Sequence, residues 1–439
     1  MKPILYWITL LLLPLVSFAQ NASDSILTAA SLDQVVQYAL VHQPAVQQAQ
    51  LDEEITEKGI KGKLADWYPQ VNFTYNYQHF LDLQQTVFNG TVIPIGVKNS
   101  SFFQFTANQT IFNRDILLAS TTASTVRLQA EQNINRSKID VVVNVTKAFY
   151  DVLATMQQIS VNEESIIRLK RSLKDAYSRY NSGLADKTDY KRATILLGNA
   201  EASLKSNQEV LKYKQEFLKT LMGYPAEQDL PLVYDTLQME NEIFIDTLQT
   251  ISYANNIEYG ILNTQLELQE ANVKYSNHAF LPTVGAFVNY NINYQNNNFR
   301  ELFDKRFPYS YAGVSVSLPL FQGGKRMKKI QEQKLTRERL EVSVTNLESN
   351  LNTEYTRALA SYKSNLVSYY TQKENVVLAE EVYTVIELQY RNGVRTYLDV
   401  TVAESDLRTT RINYFNALYA VLASKVDVQR VLGQIDYTN

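Results

Sequence analysis

Enzymatic chemistry has little to work with in this chain. Cysteine is absent, which excludes thiol catalysis, disulfides and a lipid-bearing cysteine. The three histidines, His42, His79 and His278, lack metal-ligand spacing. No glycine-rich phosphate loop, nucleophile elbow or paired His and carboxylate motif occurs, so the sequence reads as a non-enzyme without cofactor or metal. The polar residues whose spacing stands out lie at two turns. One is Tyr180-Asn-Ser-Gly183 followed by Asp186-Lys-Thr-Asp189, and the other is Tyr390-Arg-Asn-Gly393 followed by Arg395 and Thr396-Tyr-Leu-Asp399. Gly183 and Gly393 are placed to end helices in a left-handed backbone. Asp186 and Thr396 can cap the helices that follow, with Asp189 and Asp399 at the third helical position. Ser31-Leu-Asp-Gln34 has the same capping logic.

These turns belong to a duplicated chain. Tyr180-Asn-Ser-Gly183 recurs as Tyr390-Arg-Asn-Gly393, Asp189 as Asp399, Leu221-Met-Gly223 as Val431-Leu-Gly433 and Ala148 as Ala358, about 210 residues on. Trp67-Tyr-Pro69 is answered by Phe280-Leu-Pro282, and Ile111-Phe-Asn113 by Leu320-Phe-Gln322. Each half reads helix, strand, strand, long helix, turn, helix, which divides the chain into 20–225 and 226–439 with a join near Pro225 and Pro231. Strands are expected near 69–80, 101–112, 283–294 and 310–321. In the first, Val71, Phe73, Tyr75 and Tyr77 alternate with Asn72, Thr74, Asn76 and Gln78, a period of two. The intervening stretches, Leu81 to Ser100 and Gln295 to Pro308, read as loops, the first with an Asn89-Gly90 turn signal. A soluble sandwich shows such alternation too. Aromatics on one face and uncharged amides on the other favour a barrel with lipid outside and water within. Four strands cannot close a membrane barrel, so several chains would have to share one.

The helices carry a sustained seam. Counting by fours and threes from Val141 to Tyr180, ten of twelve positions are apolar or aromatic, and the copy from Leu351 to Tyr390 gives ten of twelve again. The polar exceptions, Thr155 and Asn162, fall opposite Asn365 and Gln372. With 14 Gly and 10 Pro in 439 residues, helix breakers are scarce. A soluble coiled coil is the plainer account of such a seam taken alone. A net charge of −3 gives no basic excess for nucleic acid, and the basic run Lys325-Arg-Met-Lys-Lys329 opens a helix beside a strand, where it suits solvent or lipid headgroups. Lys2, the apolar stretch Ile4 to Val16 and Ser17-Phe18-Ala19 make residues 1–19 a signal peptide. Nothing later is apolar enough for a membrane helix.

Signal peptide, duplicated halves, paired strands and long helical hairpins together resemble the TolC family of outer-membrane efflux and secretion channels. The most specific matches are Leu318-Pro-Leu-Phe-Gln-Gly-Gly324 and Tyr390-Arg-Asn-Gly-Val-Arg-Thr-Tyr-Leu-Asp-Val400. The resemblance implies a mixed α/β membrane protein: a homotrimer whose twelve strands form one outer-membrane β-barrel, continued by a long α-helical coiled-coil tunnel through the periplasm. It implies a passive exit duct in a tripartite efflux or type I secretion system of a Gram-negative bacterium, with a periplasmic adaptor, an inner-membrane pump of RND or ABC type and outer-membrane lipid as partners. It further implies a periplasmic gate at Tyr390, Arg395 and Asp399, with Asp186 and Asp189 at the other tip. Opening would break Tyr390 and Arg395 contacts, and Arg395→Ser would raise ion flow. Where relatives carry a second acidic ring this chain has Val402. The alternative is a non-conducting periplasmic coiled-coil scaffold or adaptor.

Overall fold

The computed structural model describes residues 27 and 29–438; the signal peptide expected at 1–19 lies outside the described residues. Two helices dominate, α3 (Arg114–Asn181, 68 residues) and α7 (Lys325–Arg391, 67 residues). Neither contains proline or glycine, so no backbone hydrogen bond is lost, and each runs roughly 100 Å at 1.5 Å per residue. Shorter helices pair with them end to end. α1 (Leu32–His42) and α2 (Pro44–Ala65) precede α3, and α4 (Lys187–Met222) returns along it. α5 (Thr236–Asn241) and α6 (Ile257–Asn277) precede α7, and α8 (Tyr397–Leu432) returns along that helix. The packing neighbours give two walls: α2-α3-α6-α7 near the strands and α4-α3-α8-α7 away from them. In α3 the seam positions Val145, Val152, Asn162 and Ala176 are wholly buried, and in α7 Tyr362 and Tyr369 nearly so.

Those tyrosines also fix the segment that joins the halves. Residues 239–253 run antiparallel along α7. The Tyr362 hydroxyl donates to the Ile243 carbonyl at 2.9 Å, the Tyr355 hydroxyl to that of Gln249, and Lys373 pairs with Glu240 at 2.6 Å. A heptad spacing of hydroxyls thus pins an otherwise irregular strap to one side of a helix. At the ends of α4 and α8 the repeat mates Gly223 and Gly433 both adopt φ of 69°. A Cβ there would come 2.5 Å from the His42 carbonyl oxygen or 2.2 Å from that of Asn255, so the chain passes where only glycine fits.

Beyond the helices lies one four-stranded antiparallel sheet, ordered β1 (Gln70–His79), β4 (Asn99–Phe112), β5 (Thr283–Asn296), β6 (Arg306–Ser317). Both halves contribute, and β1 and β6 are left as unpaired edges. β6 occupies Arg306–Ser317 rather than 310–321. Its last ladder pair is Thr283 with Ser317, and Pro282 and Pro319 stand just past it, without N–H groups to extend the ladder. The expected loop Leu81 to Ser100 holds a hairpin of β2 (Gln85–Phe88) and β3 (Thr91–Pro94). Asn89 and Gly90 both take positive φ, as the tight turn between twisted strands requires. The register puts Val71, Phe73 and Tyr75 on one face with Ala107, Phe105 and Phe103, whose rings approach to 4.9 Å (Phe73 with Phe105) and 4.8 Å (Tyr75 with Phe103). The opposite face carries Asn72, Thr74, Gln104, Thr106 and Asn289. Among the described residues no helix is long and apolar enough to cross a membrane.

Candidate functional site

The two helical turns sit together at the end of the molecule far from the sheet. Each is built the same way. Gly183 and Gly393 have φ of 71° and 77°; Leu184 and Val394 donate back to the carbonyls of Arg179 and Gln389 at 2.9 and 2.8 Å, closing both helix ends. The next helices start on side-chain caps. The Asp186 carboxylate accepts from the Thr188 amide at 2.7 Å. Thr396 and Asp399 form a reciprocal box: the Asp399 amide donates to the Thr396 hydroxyl at 3.3 Å, and the Asp399 carboxylate accepts from the Thr396 amide at 3.0 Å. The Thr396 hydroxyl and amide hold the Asp399 carboxyl below the usual carboxylate range, as Thr188 does for Asp186. Both groups are therefore ionised at neutral pH. Asp189, the repeat mate of Asp399, lies half-buried in the first turn of α4.

Between the tips is a small core of Ala176, Ala193, Tyr390, Tyr397 and Val400. The Tyr390 and Tyr397 rings meet edge to face at 5.7 Å, and Ser172 of α3 donates to the Tyr397 hydroxyl at 3.2 Å. Arg179, in the last turn of α3, crosses from one hairpin to the other. Its guanidinium lies 4.6 Å from the Tyr390 ring centroid and donates to the carbonyls of Tyr390 (3.3 Å) and Arg391 (3.0 Å). Cations suit the carbonyl end of a helix, and here one helix's cation reaches the end of another. Among the described residues the buried Tyr390 hydroxyl has no hydrogen-bond partner, and burial pushes Tyr390 and Tyr397 above the ordinary phenol pKa. Arg395 is exposed and donates to Gln389 of its own hairpin at 3.1 Å. Val402 is exposed one turn beyond Asp399.

A second tie lies further along the hairpins. Glu404 on α8 is buried, and its carboxylate accepts from the Ser165 hydroxyl at 2.5 Å and the Arg168 guanidinium at 3.4 Å, both on α3. A buried carboxylate of this kind depends on its partners. Of the residues expected from sequence, the structure brings Tyr390 to the contact between hairpins, uses Asp186, Asp399, Gly183 and Gly393 to shape the turns, and leaves Arg395 on the surface. Sequence reasoning missed Arg179, Arg168, Ser165 and Glu404. Their repeat mates are Gln389, Leu378, Asn375 and Thr194, so the signal was the difference between the copies, whereas the comparison of halves looked for identity.

Sequence and structure comparisons agree on one group. The family described as outer membrane efflux protein matches residues 35–224 and 261–434. Outer membrane protein TolC of Escherichia coli K12 is 21% identical over 439 aligned residues, covering 97% of this chain and 87% of that protein. Outer membrane efflux protein BepC of Brucella suis is 20% identical over 431 residues, with 96% and 90% covered. The crystal structure of outer membrane protein VceC from Vibrio cholerae superposes with a TM-score of 0.73 at 16% identity, covering 92% of this chain and 96% of that one.

Proposed function

The chain belongs to the outer membrane efflux protein family and is an outer-membrane channel component, and we propose that three copies close into one duct with its gate at the helical tips. The observation that carries this is the pair of open edges at opposite sides of the chain. β1 and β6 bound the sheet. α4 and α7 bound the lower wall, and each bares apolar side chains on one face: Ile195, Tyr213 and Phe217 on α4, Val367, Val377 and Leu388 on α7. A surface at one side that complements a different surface at the other builds a ring. Three copies of four strands make one ring of twelve, which leaves no edge in lipid.

The channel is a passive duct: a periplasmic adaptor and an energised inner-membrane pump drive the cargo, this chain performs no catalysis, and lipid surrounds the face of its sheet that carries Val71, Phe73 and Tyr75. The gate consists of the Arg179 bridge and the Tyr390 and Tyr397 rings within each copy, with exposed Arg395 turned to a neighbouring copy. Three Asp399 carboxylates at the constriction favour cations, a single ring since Val402 stands where a second would be. Single-channel current in a planar bilayer tests the reading. Wild-type trimers should show small steps that grow severalfold in Arg179→Ala and rise in Arg395→Ser. Steps of equal size in wild type and Arg179→Ala would remove the bridge from the gate. No current from any of them, with monomer in solution, would favour the non-conducting coiled-coil scaffold.

A further inference from the structure

Resting on that reading of the sheet as part of a barrel, we propose that the water-facing side of β5 and β6 is a stacking site for uncharged, flat-faced organic solutes leaving the duct. Residues paired directly across neighbouring strands share a face. Tyr311 pairs with Asn289 and Tyr309 with Asn291, so both tyrosines lie on the amide side, and alternation places Phe287 and Phe307 there too. The interior of a membrane barrel is ordinarily polar. Three aromatic residues at alternate positions of one strand, with a fourth on its neighbour, depart from that rule.

These rings have not withdrawn into a core. Tyr309 and Tyr311 are 51% and 49% exposed. They lie parallel within 5° at a centroid distance of 6.3 Å, and Phe287 meets Tyr311 edge-on at 6.1 Å. Gly313 makes the room: a Cβ there would stand 2.8 Å from the Phe287 ring. Around the rings the face is amide and hydroxyl apart from Phe102 of β4, which pairs with Asn293; Thr106 donates to Asn289 at 2.7 Å, and none of the face's residues in the four strands is charged. The lining therefore offers ring faces to stack on and neutral groups for a carbonyl or hydroxyl, but no carboxylate or guanidinium for an ion. Charge is read at the tips, whereas this exit retards molecules by their flat apolar surface. The competing account is that the edge-strand rings only seal the seam against the next copy's β1.

The test uses full-length trimers with the tip opened by Arg179→Ala, recorded first in salt alone and then with chloramphenicol, a neutral nitroaromatic amide, on the barrel side. Concentration-dependent brief blockades are expected. Tyr309→Ser combined with Tyr311→Ser should weaken their apparent affinity about tenfold, and the paired Phe variants should keep it. No blockade in the parent, or equal blockade in the Ser pair, overturns the proposal. Trimers that fall apart in the Ser pair, with blockade unaltered in the channels that remain, assign the rings to the seam and overturn it as well. Absence of current in salt alone is a different result and overturns the duct reading beneath it.

Discussion

Tyr390 grips the opposite hairpin with its ring and its carbonyl, while its buried hydroxyl bonds nothing among the described residues. Replacing it by Phe removes an unsatisfied polar group, and stability should stay level or rise by up to about 1 kcal/mol. The same substitution checks a pH dependence. Burial raises Tyr390 and Tyr397, and pushes Tyr383 beside them up to about 12, against about 10 for a free phenol. The folded tip holds these protons more tightly than the unfolded chain, so their contribution is complete below about pH 10 and is lost as pH rises toward the folded values. Arg179 opposes the shift in Tyr390, and Asp189 and Asp175 add to it. Current through the wild type should climb above about pH 10, less steeply in Tyr390→Phe; identical pH profiles would exclude Tyr390 as a contributor. The capped turns were legible because caps are local and depend on residues three apart. The bridging cations were not, because Arg179 and Arg168 matter only once α3 lies beside α8 and α7, a juxtaposition no short window contains.

At the scale of elements, period decided most of what could be read. Alternation by twos marked the strands and the three-four count marked α3 and α7, since burial on one face imposes each pattern. It misled at β6, where Leu318 and Leu320 continue the alternation past the point at which Pro319 stops the ladder. The β2–β3 hairpin was announced only by Asn89-Gly90, because each of its faces mixes exposed apolar side chains with Gln or Thr and no burial imposes alternation. The glycine stops separate two kinds of constraint. Gly433→Ala meets both a positive φ and a backbone contact, and should cost more than about 3 kcal/mol. Gly393→Ala also meets a positive φ, of 77°, but has open space around it, and should cost about 1 kcal/mol. Thermal unfolding followed by circular dichroism compares them. Equal melting points would show that the close approach of Asn255 to Gly433 relaxes freely.

The whole molecule is defined by what it leaves uncovered. The exposed apolar face of α7 should accept no charge if a neighbouring α4 covers it. Val377→Glu with Leu388→Glu is expected to abolish SDS-resistant trimers while leaving the helix content of the chain unchanged. Trimers surviving intact would place the contact elsewhere. β1 and β6 both end the sheet bare. Every stage of membrane entry short of closure carries unpaired backbone groups into hydrocarbon, so the committed step waits on encounters between chains. Its rate then depends on a power of chain concentration higher than one. Where unassembled chains are also degraded in a first-order step, halving synthesis should lower the number of finished channels by more than half, and efflux capacity then follows synthesis on a steep curve.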